Sequence, residues 1–161
     1  MNGKSKLAFC LCALLLVGMT GCRLSGGQRE MYDNADEIAR QGDSYTYKNR
    51  SCERKSEDKM LLTYGSFSGT DTIWVIDAQE NGEFTVDYDS TVHSGNLKAV
   101  LAYPDTKEVD TVFEGTEQNK KTIKLKKGEC RMKLVGKEAG GELTLSISGD
   151  KNIEKITAQT H

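Results

Sequence analysis

The chain is poor in the residues that most often carry chemistry. It holds 2 histidines, 1 tryptophan and 1 proline in 161 residues. His93 and His161 stand far apart, and neither has cysteine or carboxylate neighbours at zinc-ligand spacing, so no metal centre is expected. The single proline, Pro104, excludes a proline-rich linker. Phosphate-binding glycine loops are missing, and no cofactor is implied. Gly65-Ser66-Phe67-Ser68-Gly69 has the outline of a nucleophile elbow, but its centre is phenylalanine and no helix pattern follows. A catalytic reading therefore fails on inventory, and the chain is not expected to be an enzyme. Asp87 and Asp89 alternate on one strand and suit acid–base work or calcium, but the closing glutamate of a calcium loop is absent and a solvated strand face explains them. Lys+Arg number 22 against 24 Asp+Glu, which excludes a nucleic-acid binder relying on a basic excess. No apolar run reaches the ~20 residues of a membrane-spanning helix.

What is present begins at the N-terminus. Lys4 and Lys6 make a basic start, and an uncharged apolar run follows from Leu7 to Met19. A short apolar run behind a basic start, ending in small residues, reads as a secretory signal. Its end, Met19-Thr20-Gly21-Cys22, resembles the lipobox of bacterial lipoproteins, although leucine is commoner where this chain has Met19. The resemblance implies a diacylglyceryl group on Cys22, cleavage just before it, and a protein held outside the cytoplasmic membrane. Two acyl chains are enough for stable anchoring, at roughly 0.8 kcal/mol per buried CH₂. The expected segments are a signal peptide at 1–21, an anchor and tether with a short weak helix at 22–59, a β-domain at 60–150 and a tail at 151–161. The signal takes Lys4 and Lys6 with it, leaving 20 basic against 24 acidic residues in the mature chain.

Cys10 and Cys12 leave with the signal, so Cys52 and Cys130 remain beside the lipidated Cys22. An even pair in an exported protein invites a disulfide, which in the chain-entropy model stabilises by about 4–5 kcal/mol. Cys130 shares parity with Met132 and Leu134 and points inward, whereas Cys52 sits in the charged stretch Ser51-Cys52-Glu53-Arg54-Lys55. One buried and one exposed free thiol is the alternative.

Arg23 to Gly42 is polar and contains Ser25-Gly26-Gly27, as a tether would. Arg50 to Lys59 is nearly all charged and reads as loop. From Met60 onward, β-branched and aromatic runs alternate with turn signals. The runs are Leu61–Tyr64, Thr72–Ile76, Phe84–Tyr88, Leu97–Tyr103, Val112–Phe113, Thr122–Leu125, Cys130–Leu134 and Leu143–Ile147. Asn81-Gly82 between two of them is a strong hairpin signal. Pro104-Asp105 opens a turn. Roughly eight such strands predict an all-β antiparallel sandwich.

The order of these pieces resembles the small β-sandwich domains at the C-termini of secreted bacterial peptidases. The matching stretches are Trp74-Val75-Ile76-Asp77, Gly82 to Val86, Leu97 to Asp105 and Lys127 to Leu134. That family usually has an aromatic-rich last strand, where this chain has Cys130 and Met132. The resemblance implies a jelly-roll-like, non-catalytic binding or accessory module and names no ligand.

Charge is unevenly laid out. Every formal charge between Met60 and Leu97 is negative, while Lys120 to Lys137 is basic apart from Glu129. Lys124 and Lys126 fall on the parity opposite Ile123 and Leu125, and Arg131 and Lys133 opposite Met132. A hairpin of these strands would show a basic outer face, which like charges destabilise unless something negative lies nearby. The internal partner is the acidic strand Glu83 to Asp89. The external one is a polyanion such as wall teichoic acid or anionic lipid headgroups. Trp74, Tyr64, Tyr88 and Tyr103 suggest a sugar-stacking platform, but their phase with core residues favours packing. The expectation is a cell-envelope lipoprotein that binds or scaffolds; the alternative is an accessory subunit or inhibitor recognising another exported protein.

Overall fold

The computed structural model describes residues 24–149 and 153–158. The expected signal peptide, Cys22 and part of the tail lie outside the described residues. Helix α1 (Leu24–Glu30), a 3₁₀ turn (Met31–Asp33) and helix α2 (Ala35–Ile38) come first. Eight strands follow: β1 (Ser44–Thr46), β2 (Asn49–Ser56), β3 (Lys59–Ala78), β4 (Gly82–Tyr103), β5 (Glu108–Glu114), β6 (Glu117–Leu125), β7 (Gly128–Gly149) and β8 (Ile153–Ala158). All pairings are antiparallel, giving the expected all-β antiparallel sandwich.

The strands are not the expected ones. β3, β4 and β7 are 20, 22 and 22 residues long, against an ordinary length of about 5–6. Each fuses two of the runs read from sequence. β7 lies between the other two along its whole length and bends with them into two layers. Its second half pairs with the first halves of β3 and β4 (Leu143 opposite Leu62 and Ser90) and, with edges β2 and β6, makes the front layer. Its first half pairs with their second halves (Met132 opposite Trp74 and Leu101) and, with β5, β1 and β8, makes the back layer.

The glycine clusters that look like turns are therefore bends. Ladder registers slip at Tyr64/Phe67, Val92/Ser94 and Ser94/Asn96, where extra residues let each strand change layer. Gly95 holds φ +63, and any Cβ there would run into the backbone of Glu138 on β7. At Gly136 a Cβ would enter the ring of Phe67.

The Asn81-Gly82 hairpin does not form. Ala78 pairs with Gly128 in the back layer, while Phe84 pairs with Gly149 in the front layer, so the chain crosses between layers here. The link from β6 to β7 crosses at the same end, and Asn81 Oδ1 accepts the Lys127 N–H at 2.8 Å. The Pro104-Asp105 turn does form, joining Tyr103 to its partner Glu108. The sandwich also takes in residues 44–56 and 153–158, beyond the expected limits of 60–150.

Between the layers lies one core. Phe84, Val86, Tyr88, Leu143, Leu145 and Ile147 face inward from the front, and Trp74, Ile76, Leu101, Cys130, Met132 and Leu134 from the back. Tyr88 and Phe113 stack across it with centroids 4.4 Å apart.

Candidate functional site

Three surfaces surround this core: the outer face of the back layer, the two open edges and the outer face of the front layer. Only the last is free along its breadth among the described residues.

The back layer is covered. Its outward residues include Val100 and Val135, which pack with Tyr32 and Ile38 of the N-terminal segment. Residues 28–43 therefore form a strap across the sheet, and not the free tether read from their polarity. This explains why β3 is buried on both faces through Thr70–Trp74. A buried lysine pins the strap. Lys133 is fully buried, and its Nζ donates to Arg40 O at 2.5 Å and Gly42 O at 3.2 Å and pairs with Asp43 Oδ1 at 3.1 Å. Those three acceptors match the three protons of an ammonium. Burial holds Lys133 below the usual lysine value, and Asp43 opposes the shift. Thr72 donates to the same Asp43 oxygen at 2.9 Å. Arg131 donates to Gln41 O at 3.0 Å and pairs with Glu129 at 2.8 Å. Lys98 sits 4.5 Å from the centroid of the Tyr32 ring, whose hydroxyl donates to Glu114 at 2.8 Å.

The four basic residues singled out by parity thus do not share a face. Arg131 and Lys133 lie under the strap on the back layer. Lys124 lies on β6, an edge of the front layer, opposite Glu83 across the ladder. Lys126 follows β6 and pairs with Glu108, lying 5.6 Å from the Tyr103 ring centroid. The expected hairpin of β6 and β7 is replaced by a crossing between layers, which separates the two pairs. The expected internal negative, the acidic strand, does lie beside β6, and the strap supplies a second, unexpected one to β7 in Asp43.

Cations from the front layer close both edges. The charged stretch read as loop is edge strand β2, with Arg50, Cys52 and Arg54 on its inward parity. Arg50 lies 5.4 Å from the Tyr47 ring centroid and 3.5 Å from Asp71 Oδ2. Tyr47 donates to that oxygen at 2.7 Å, and burial followed by the Asp71 charge raises its phenol well above the usual value. Arg54 lies 5.7 Å from the Trp74 ring centroid and donates to Ile73 O at 3.2 Å. Across the sandwich, Lys121 of β6 donates to Val112 O at 3.0 Å and lies 5.4 Å from the Tyr88 ring centroid. Charged groups turned inward on edge strands are a known guard against pairing with other chains.

The aromatic platform is not on the surface. Trp74, Tyr64, Tyr88 and Tyr103 are all buried in the core, with Trp74 Nε1 donating to Glu57 O at 2.8 Å. Cys52 and Cys130 are both free thiols, one half-buried and one buried. Burial pushes the Cys130 thiol up to about 12. His93 is exposed at the bend of β4. Among the described residues no group of three or more His, Cys, Asp or Glu is placed to hold a metal ion.

The front layer presents the candidate site. Registers set its outward residues in rows across the sheet. Ser51, Thr63, Glu142 and Thr91 form one row; Glu53, Leu61, Thr144, Asp89 and Gln118 form the next. Lys59, Ser146, Asp87 and Lys120 follow, then Ser148, Thr85 and Thr122, then Glu83 and Lys124. A shallow groove of about 160 Å³ runs over β7 between Thr63, Leu61, Asp89, Thr91, Glu142 and Thr144. That is too small to enclose a drug-sized molecule, which needs about 300–1,000 Å³. A larger cleft of about 640 Å³ lies against the strap. Its walls are residues of the strap and the start of β1, among them the pairs Arg40 with Glu37 at 2.7 Å and Gln28 with Ser44 at 3.3 Å. The outward Ser, Thr and Asp of β3, β4 and β7 were readable by parity, whereas Ser51 lay in the stretch read as loop. Their adjacency was not, because β7 joins β3 and β4 from far along the chain.

No family model matches the chain, and no curated protein does. Several solved structures resemble it. A mutant family 29 carbohydrate binding module complexed with mannohexaose aligns at TM-score 0.40 and 10% identity, over 68% of this chain and 82% of that one. A second family 29 mutant aligns at 0.37 and 9%, with the same coverage. The CBM22-1–GH10 modules of a Clostridium thermocellum endo-1,4-beta-D-xylanase, complexed with xylohexaose, align at 0.37 and 10%, over 78% of this chain and 27% of that one. At this level the likeness carries nothing about ligand.

Proposed function

We propose that the chain is a lipid-anchored extracytoplasmic protein whose β-sandwich is a non-catalytic binding module. The front face would meet a hydrophilic polymer of the cell envelope. The observation that carries this is the contrast between the two outer faces. The back face is covered by the strap, while the front face stays open and is lined by hydroxyls and charged side chains, with Leu61 the only outward apolar side chain of its rows among the described residues. A face of hydroxyls suits hydrogen bonding to a polar chain. A partner protein would favour an apolar patch, which this face does not offer, so the accessory-subunit reading has less support. A polyanion is also a poorer fit, because Lys120 and Lys124 stand opposite Asp87 and Glu83.

The test is co-sedimentation of the mature chain, with Cys22→Ala to keep it in solution, with purified insoluble envelope polymer. Thr144→Arg places a bulky side chain in the centre of the groove. Binding should fall at least tenfold while the melting temperature stays put. A chain that sediments with no envelope polymer, or a Thr144→Arg variant that binds like the parent, would sink the proposal.

A further inference from the structure

We infer that the domain stands on the bilayer with its strap side down and its front face turned away from the lipid. This rests on the reading that Cys22 is acylated. The covalent reach is short. Gln28 is already 7% exposed and bonded to both Ser44 Oγ at 3.3 Å and Thr46 Oγ1 at 3.0 Å. Arg29 pairs with Glu138. Folded structure therefore begins by residue 28, six positions after Cys22.

Six residues span at most about 20 Å when fully extended. With helix α1 running from Leu24, the span from 24 to 28 falls to about 6 Å, and the whole reach to about 13 Å. A free tether of about 20 residues would instead average about 25 Å and allow every orientation. The strap lies outside the back layer, and the groove lies outside the front layer. Two sheets packed about 10 Å apart, with a helix roughly 10 Å across on one side, put the two surfaces on the order of 25 Å apart. The leash is shorter than that thickness, so it holds the strap side nearer the bilayer than the front face.

Charge does not produce this orientation. The strap's exposed Glu30, Asp33 and Asp36, with the half-buried Glu37, outnumber Arg29 and Arg40, and would repel an anionic surface. The covalent link sets the orientation. The ligand of the front face then comes from outside the bilayer, and lipid headgroups are excluded from the groove.

The experiment uses the full acylated chain, recovered from membranes and placed in phosphatidylcholine vesicles that carry a quencher on the headgroup. A fluorophore is attached at Asp36→Cys on the strap or at Thr85→Cys on the front face, each in a Cys52→Ser background. Quenching at Asp36→Cys should exceed that at Thr85→Cys at least threefold. A 20-residue Gly/Ser insertion after Arg23 should bring the two together. Equal quenching in the chain of native length, or stronger quenching on the front face, overturns the orientation alone. An intact mass without acyl chains overturns the anchor, and the orientation with it.

Discussion

Lys133 offers the sharpest test of the strap. Replacing it with methionine keeps most of the stem's packing and removes the ammonium. The Arg40 and Gly42 carbonyls then lose their donor, and Asp43 keeps only the Thr72 hydroxyl. Removing one member of a buried pair costs roughly 3–5 kcal/mol. The Asp43 side chain is 14% exposed, so water recovers part of this, and the expected loss is about 2–4 kcal/mol. The strap's buried apolar anchors are Tyr32, Ile38 and Ala39. Each large one contributes about 1.5–3 kcal/mol, so the loss is comparable to an anchor and should free the strap while leaving the sandwich folded. Hydrogen exchange reads this directly. The Ile38 and Ala39 amides, bonded to Asn34 O at 3.0 Å and Ala35 O at 2.9 Å, should exchange ~30- to ~700-fold faster. Amides of β4 and β7 should change far less. Adding Asp43→Leu should recover part of the loss, because the unpaired carboxylate goes too. Unchanged exchange at 38–39, or a loss spread evenly over the sandwich, would refute the idea that Lys133 pins the strap.

Two further outcomes follow from the buried groups. Burial pushes the Tyr64 and Tyr103 phenols and the Cys130 thiol up to about 12, and raises Tyr32 and Tyr47 further. Each keeps a proton in the folded chain that the unfolded chain releases. The unfolded state therefore binds fewer protons, and stability falls as pH rises from the thiol's ordinary value, about 8.5, towards 12. Lys133, shifted down, has the opposite sign but is one group against five. The urea midpoint should be clearly lower near pH 11 than at pH 8; an unchanged midpoint would count against the burial of these groups. Brief alkylation of the native mature chain should modify Cys52 and spare Cys130, with both reacting in denaturant. A mass two hydrogens light before reduction would show a disulfide in place of two free thiols.

Parity was the most reliable signal in the sequence. It put Phe84, Val86 and Tyr88 inward and Asp87 and Asp89 outward, and the structure agrees, because a pleated strand turns successive side chains to opposite faces whatever its neighbours are. It failed at β2, where Arg50 and Arg54 face inward. Their charge looks like a loop until Tyr47, Asp71 and Trp74 are seen to receive them. Local glycine signals failed differently. Gly65 to Gly69 and Gly136 to Gly141 serve a bend as well as a turn, and only the ladder to distant strands tells the two apart.

The sequence by itself determined the class of the fold and the inward set of the runs from Met60 onward, and it raised the expectation of an anchor at Cys22, because alternation and short motifs are properties of neighbouring residues. Tertiary structure alone decided that six of the eight runs fuse in pairs into three long bent strands with new edges. It also decided that the basic stretch divides between two layers, and that a polar N-terminal segment becomes a strap over Lys133. Each of these depends on hydrogen bonds and ion pairs between residues tens of positions apart, which no local pattern encodes.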